Sequence, residues 1–156
     1  KDYYVVTLYN DQKRNLYAYV DDEDLFGEKV IYLERDDMSA ATEADYVMVE
    51  FFLDWYPVLT DQDMYIMGAI TDWSLDEKNK MTYDYERKGY AISLLLKQGY
   101  YDYIYAVKER GQTTANVGVV AGDFWETKNE YTIYLYLFDP TQNYDQLIGV
   151  KTVLSH

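Results

Sequence analysis

The chain has 156 residues, of which 49% are hydrophobic and 18% aromatic, so it can fill a packed core and is not a disordered tail. Its 28 acidic and 14 basic residues give a net charge of −14, which argues against binding to nucleic acids or to anionic membrane surfaces. Cysteine is absent, which excludes disulfides and thiolate zinc sites, and no apolar run is long enough to span a bilayer.

The first forty residues are predicted to form an N-terminal β segment. Its predicted strands cover Tyr3–Tyr9, Arg14–Val20 and Glu28–Leu33. The acidic run Asp21–Asp24 lies between the last two, and a solvated turn is favoured over a calcium site because the spacing does not match an EF-hand loop. The polar stretch Ser39–Ala44 predicts a boundary between residues 1–40, the remnant of a preceding β-domain, and a second domain of residues 41–156.

The rest of the chain alternates with a period of two, which is typical of half-buried β-strands. Strong patterns cover Val47–Leu53, Tyr90–Leu96, Tyr100–Val107 and Tyr131–Leu137, and weaker ones cover Met64–Ile70, Val117–Ala121 and Gln146–Val153. The residues predicted to form the core are Val47, Val49, Phe51, Ile92, Leu94, Ile133 and Leu135. The sequence therefore predicts an all-β fold.

Glycines and one capping pattern predict the connections between these strands. Lys97–Gly99 predicts a tight hairpin turn in which Gly99 takes a positive φ, and Arg110–Gln112 predicts a second turn. Ser74 and Glu77 match a capping box, for which one helical turn and a plain loop remain equal alternatives.

The sequence contains no recognisable catalytic motif. The single histidine is the last residue, His156, so neither a Ser-His-Asp nor a Cys-His arrangement can be assembled. There is no glycine-rich phosphate loop, and no pair among the 28 carboxylates stands out as a glycosidase motif. The chain is therefore predicted to be a non-enzymatic binding protein, with no catalytic residue, metal or cofactor assigned.

The 20 tyrosines are the most unusual feature of the composition. Four of them lie between positions 100 and 105, on a strand that cannot bury both faces against one layer. Outward rings there are expected to bind a partner, together with the acidic loop Thr71–Lys80; the alternative is that the rings cover the N-terminal strands. The residues predicted to bind a partner are Trp73, Lys97, Tyr100, Tyr101, Tyr103 and Tyr105.

One part of the chain resembles a family of sugar-binding modules. Met64–Trp73 and Lys97–Tyr105 are similar to the early-set immunoglobulin-like domains that bind glycogen and starch. The resemblance spans about residues 45–137 and implies a β-sandwich, with Trp73 in the place of one stacking tryptophan. Ile104 stands where these modules have a lysine, their second tryptophan is missing, and Asn129 matches their asparagine only loosely, so carbohydrate is not the expected ligand.

A longer resemblance covers nearly the whole chain. The matching segments are Tyr19–Asp22, Gly27, Thr42–Phe51, Gly68–Trp73, Asn79–Tyr83, Leu96–Tyr103, Glu126–Tyr131, Tyr134–Tyr136 and Tyr144–Gly149. In this order they resemble the C-terminal part of the type IX secretion system plug proteins, and the run LKQGYY from Leu96 to Tyr101 is the most specific of them. The chain departs from the family at Ala121–Gly122, where a Glu-Gly pair is usual.

This resemblance implies a fold and a role. The expected fold is an immunoglobulin-like (early-set) β-sandwich from about Asp45 to Val150 with an additional N-terminal β segment. The implied role is to close the periplasmic mouth of an outer-membrane translocon β-barrel in a Gram-negative bacterium, through protein–protein contacts. The expected location is the periplasm, at the outer membrane, with no nucleic-acid partner and no direct membrane insertion. The alternative is a carbohydrate-binding module.

Overall fold

The computed structural model describes residues 4–14, 28–32, 45–124 and 128–155, and its fold is all-β and immunoglobulin-like, with an additional N-terminal β segment. The strands are β1 (Tyr4–Thr7), β2 (Asp11–Gln12), β3 (Lys29–Ile31), β4 (Tyr46–Asp54), β5 (Gln62–Met67), β6 (Thr82–Asp84), β7 (Gly89–Lys97), β8 (Gly99–Tyr101), β9 (Ile104–Glu109), β10 (Glu130–Asp139) and β11 (Tyr144–Leu154). The predicted all-β class is confirmed. Among the described residues, no helix is long and apolar enough to cross a membrane.

The largest sheet has β4 and β7 at its centre. These two long strands pair antiparallel, and β6 extends the sheet beyond β7. On the other side of β4, the short strands β1 and β2 both pair with it in parallel. Strands β1 and β2 of the N-terminal segment therefore belong to this sheet, and their backbone donors and acceptors complete the edge of β4.

The antiparallel pair β5–β9 forms the second layer of the sandwich. The core between the layers contains Phe51, Leu53, Met64, Ile66, Met81, Tyr90, Tyr105, Val107 and Val120, all buried. The predicted core residues Val49, Ile92 and Leu94 pack against this cluster, and Val47 is half-buried near the start of β4. The alternation along β4 and β7 thus identified the inward face correctly.

The predicted hairpin around Gly99 is wrong. Strands β7 and β8 do not pair with each other; β8 pairs with β3, and β9 pairs with β5. Gly99 does not take a positive φ, but a Cβ there would collide with the carbonyl oxygen of Val30. The glycine therefore permits close approach of β3 and is not needed for a tight turn.

Two smaller predictions also need correction. Val117–Ala121 contains a short helix, α1 (Gly118–Ala121), instead of a strand, and β5 ends at Met67, before a 3₁₀ turn over Ala69–Thr71. At the predicted capping box, Ser74 begins no helix, so the plain loop is the structure found. The turn at Arg110–Gln112 is present, with Gly111 at a φ of 83°.

The described residues divide into two compact units. The first contains those up to Asp123, and the second contains Phe124 and residues 128–155, in which β10 and β11 form an antiparallel hairpin. Ile133 and Leu135 were predicted to be core but are exposed on this hairpin, because period-two alternation assigns a face without supplying the layer that covers it. The predicted boundary near residue 40 and the acidic run Asp21–Asp24 lie outside the described residues, as do Arg14–Val20 apart from Arg14 and the terminal His156.

Candidate partner-binding surface

A tight loop after β5 presents Trp73 to solvent. The carbonyl oxygen of Gly68 accepts hydrogen bonds from the backbone N–H groups of Thr71 at 3.0 Å and Trp73 at 3.1 Å. Gly68 has a φ of 141°, and a Cβ there would lie 2.5 Å from the carbonyl oxygen of Asp102. Only glycine fits this position, and its carbonyl draws the following residues into a compact turn.

Two consecutive residues in this turn have left-handed backbone. Asp72 has a φ of 49° and Trp73 a φ of 57°. This conformation costs a non-glycine residue about 1–2 kcal/mol, and it persists only where surrounding contacts hold it. Trp73 is nevertheless 53% exposed, so burial of the side chain does not compensate for the strain.

Two anchors hold the loop on either side of Trp73. Nζ of Lys29, on β3, donates a hydrogen bond to the carbonyl oxygen of Ala69 at 2.9 Å and lies 3.8 Å from Oδ1 of Asp72. At the other end, the buried Asn79 donates from Nδ2 to the carbonyl oxygen of Ser74 at 2.6 Å and to its Oγ at 2.8 Å. These contacts fix the loop on both sides of Trp73, so that the exposed tryptophan is held in one position.

The end of the loop is tied to β5. Nζ of Lys80 lies 3.1 Å from Oδ2 of Asp63, and this hydrogen bond raises the pKa of the Lys80 ammonium. The Met81 N–H donates to the carbonyl oxygen of Met64 at 2.8 Å. An open cleft of about 350 Å³ lies between the loop and β7, and its lining includes Ile70, Ser74 and Lys78 together with Leu94, Leu95 and Leu96.

The two-stranded sheet β3–β8 carries a second aromatic surface. Val30 lies opposite Tyr100 in the register, and the Tyr32 and Tyr100 ring centres are 5.9 Å apart. All three side chains are exposed, Tyr100 by 63%. We call this group the tyrosine patch (Val30, Tyr32 and Tyr100).

Lys97 and Tyr101, both predicted to bind a partner, are engaged within the fold. The Tyr101 hydroxyl donates to the carbonyl oxygen of Lys97 at 2.7 Å, and burial raises the pKa of this tyrosine. Nζ of Lys97 lies 5.4 Å from the centre of the Tyr46 ring. These contacts stabilise the junction between β7 and β8.

Tyr103 and Tyr105 are structural. Both hydroxyls donate to Oδ2 of Asp11, on β2, at 2.8 and 2.7 Å. Burial first, and then the hydrogen bond to Asp11, raises the pKa of both tyrosines. Tyr105 is buried, and the Tyr103 ring packs edge-on against Phe51 with centres 4.9 Å apart. For these two, the alternative that the rings cover the N-terminal strands is the correct one.

The six residues predicted to bind a partner thus fall into two groups, one exposed and one, which includes Lys97 and Tyr101, engaged in contacts within the fold. Trp73 and Tyr100 are available to a partner, whereas Tyr103 and Tyr105 are committed to Asp11. Sequence reasoning missed Lys29 and Tyr32, because no local pattern shows that β3 pairs with β8. The described residues contain no group of three or more His, Cys, Asp or Glu placed to hold a metal ion.

Comparison with known proteins finds similarity to a solved structure. No family model matches the chain, and no curated protein matches it. Among solved structures, it is similar to a hypothetical protein from Parabacteroides merdae ATCC 43184, whose crystal structure was determined at 2.30 Å resolution, with a TM-score of 0.86 and 39% sequence identity. The match covers 98% of this chain and 38% of that chain, so this chain spans well under half of the protein it matches.

Proposed function

We propose that the chain is a non-enzymatic binding domain of a type IX secretion plug-like protein. It would close the periplasmic side of an outer-membrane translocon β-barrel through protein–protein contacts. The sequence support is the ordered set of matching segments, above all the run from Leu96 to Tyr101. The structural support is the display of Trp73, and this observation carries the proposal.

An exposed tryptophan on strained backbone is typical of a binding residue. Side chains held in unfavourable backbone conformations cluster at ligand clamps and switch regions, since the strain is kept for a purpose other than stability. Tryptophan and tyrosine are also the residues most enriched among interface hot spots. Trp73 and the tyrosine patch are therefore the contact residues of this proposal.

The charge around Trp73 defines the kind of partner surface. The Asp72 side chain is 94% exposed and the Glu77 side chain is 86% exposed, and the whole chain carries a net charge of −14. A partner that presents arginine or lysine together with apolar groups complements this loop, because a guanidinium can stack on the indole and pair with the carboxylate.

The experiment compares variants in co-purification with the translocon barrel from solubilised outer membranes. Trp73→Ala and Tyr100→Ser are the test variants, and Tyr9→Ser, a substitution at a fully solvated tyrosine of the first unit, is the matched control. We expect both test variants to lose the barrel while keeping the wild-type melting temperature, and the control to retain it. Retention of the barrel by both variants would remove this surface from the proposal.

Channel closure needs its own measurement. Single-channel recording of the purified barrel should show a lower conductance when the chain is added from the periplasmic side. The Trp73→Ala variant, added in the same way, should leave the conductance unchanged.

The carbohydrate alternative is tested by titration with maltoheptaose, for which we expect a Kd no tighter than about millimolar because one aromatic platform holds a pyranose poorly. Micromolar binding that is lost in Trp73→Ala would replace the plug with a sugar-binding module.

A further inference from the structure

The hairpin β10–β11 is apolar on both of its faces. Ile133, Leu135 and Leu137 lie on one face, and Tyr134, Tyr136 and Phe138 lie on the other. Every large apolar side chain that is exposed on this hairpin has an exposure between 37% and 59%. Contiguous apolar surface of this kind marks an interaction site in a soluble protein.

The hairpin is a two-stranded sheet among the described residues. No other described strand pairs with the outer edge of β10 or of β11, and such edges are where further strands add to a sheet. A two-stranded hairpin is marginally stable by itself in water and becomes stable when further strands or a second layer join it. The described residues therefore contain a sheet fragment whose geometry calls for additional strands.

Charge distinguishes the hairpin from the remainder of the chain. Between positions 130 and 154 the charged residues are Glu130, Asp139, Asp145 and Lys151, whereas 27% of the whole chain is charged. Two of the four, Asp139 and Asp145, lie at the turn end, and Glu130 lies at the opposite end. The middle of the hairpin fits an apolar, β-rich layer better than a polar surface.

A second copy of the chain fits this surface poorly. Each copy carries a net charge of −14, so association brings like charges together. One partner hairpin would also cover a single face and leave the other in water. The occupant must supply strands at the edges and layers on both faces.

We propose that the hairpin forms the inner strands of a larger β structure, completed by a β-rich segment of the same polypeptide. The similar Parabacteroides merdae protein is long enough to contain such a segment, since the matched region is only 38% of its chain. A segment on the same chain meets the hairpin at an effective concentration of about millimolar, so it outcompetes partners in solution.

The absence of cysteine allows a direct test. Single substitutions Ile133→Cys and Tyr134→Cys place one thiol on each face, and Tyr85→Cys, at an exposed turn of the first unit, is the control. Maleimide labelling rates are measured on the purified 156-residue chain and on the purified natural polypeptide that carries it. We expect all three thiols to react alike in the 156-residue chain, and both hairpin thiols to react at least about tenfold more slowly in the natural polypeptide, where opening would limit their exposure.

Each other outcome overturns the proposal. Equal rates in both samples mean that nothing on the same polypeptide covers the hairpin. Protection that increases with the concentration of the 156-residue chain identifies a second copy as the occupant. Protection that requires outer-membrane extract identifies a separate partner, and hydrogen exchange of residues 130–154 on the unsubstituted proteins checks that the substitutions did not cause the result.

Discussion

Strands β4 and β10 both have apolar residues at every second position, but these residues are buried or half-buried in β4 and exposed in β10. Val49, Phe51 and Leu53 alternate along β4 just as apolar side chains alternate along β10. The β4 side chains pack in a cluster with Met64 and Ile66 of β5, whereas the β10 side chains are exposed. The difference teaches that alternation decides which side chains share a face, while burial depends on a second layer from elsewhere in the chain.

The outer faces of the two strands differ in the same way. Phe52, on the outer face of β4, lies under the Arg87 guanidinium, 4.3 Å from the ring centre, and is buried. Nη1 of Arg87 binds Oε1 of Glu50 and its Nε binds Oδ2 of Asp84, both at 2.7 Å. A long charged side chain thus covers an apolar ring on a face where the described residues supply no further layer. The aromatic rings on β10 remain exposed.

The largest effect is expected from a matched pair of phenylalanines. Phe51→Ala should reduce the free energy of unfolding by about 3–5 kcal/mol, because it removes a large buried side chain and leaves a cavity. Phe138→Ala should reduce it by less than about 1 kcal/mol, because that ring is 54% exposed. Urea denaturation followed by tryptophan fluorescence measures both. Equal losses would contradict the comparison between β4 and β10.

Two glycines provide the next contrast. At Gly99 a Cβ would collide with the carbonyl oxygen of Val30 and lie 3.0 Å from Cα of Ile31, so Gly99→Ala should destabilise the chain by about 1–3 kcal/mol. At Gly149, on β11, the nearest atom would be Cβ of Leu135 at 3.8 Å, which is ordinary contact. Gly149→Ala should therefore change stability by less than about 0.5 kcal/mol. The melting temperatures of the two variants test this contrast. A larger loss of stability for Gly149→Ala than for Gly99→Ala would contradict the open face of the hairpin.

The strands could be predicted from the sequence because they depend on local pattern. The strands at Val47–Leu53, Tyr90–Leu96 and Tyr131–Leu137 are all present, and the inward face of the first two is correct. Their pairing was harder to predict. Gly99 suggested a turn, but its role depends on Val30, which is far away in sequence. Contacts between distant strands leave no signal in a single sequence.

The candidate site was predicted only in part, for a related reason. An aromatic cluster near position 100 was visible, but the same composition fits exposed rings and buried ones. Tyr103 and Tyr105 face inward, where both hydroxyls donate hydrogen bonds to Asp11. The sequence around Asp11 does not indicate that it accepts them. The left-handed backbone of Trp73, whose N–H donates to the carbonyl oxygen of Gly68, could not be predicted from the sequence either.

The burial of Tyr105 and its hydrogen bond to Asp11 predict a change in alkaline stability. Tyr105→Phe should cost about 1.5–3 kcal/mol near pH 7, since it removes a hydrogen bond to a carboxylate, whereas Tyr136→Phe on the exposed hairpin should cost less than about 0.5 kcal/mol. The folded protein raises the pKa of Tyr105 above its ordinary value of about 10, so it binds this proton more tightly than the unfolded chain does. Stability from this group is constant below pH 10 and falls as the pH rises above it, by at most about 1.4 kcal/mol per pH unit.

Urea denaturation between pH 8 and pH 11 measures this loss. Tyr105→Phe should show a shallower decline than the wild type above pH 10. Identical declines for wild type and Tyr105→Phe would mean that burial and the hydrogen bond to Asp11 do not raise the pKa of Tyr105 in solution.

The smallest effect concerns the hairpin itself. Thr132 and Thr152 lie opposite each other on β10 and β11, with their Oγ1 atoms 3.2 Å apart. In the 156-residue chain this exposed pair should contribute about 0.2–1 kcal/mol, so Thr132→Val should slightly speed hydrogen exchange of residues 130–154. If a further β layer covers this face in the natural polypeptide, the same substitution leaves the Thr152 hydroxyl buried without its partner and should cost about 1–3 kcal/mol there. Thr152→Val is the reciprocal control, and the double substitution, which removes both hydroxyls, should recover part of the loss. An equally small effect of Thr132→Val in both proteins would show that this face stays in water.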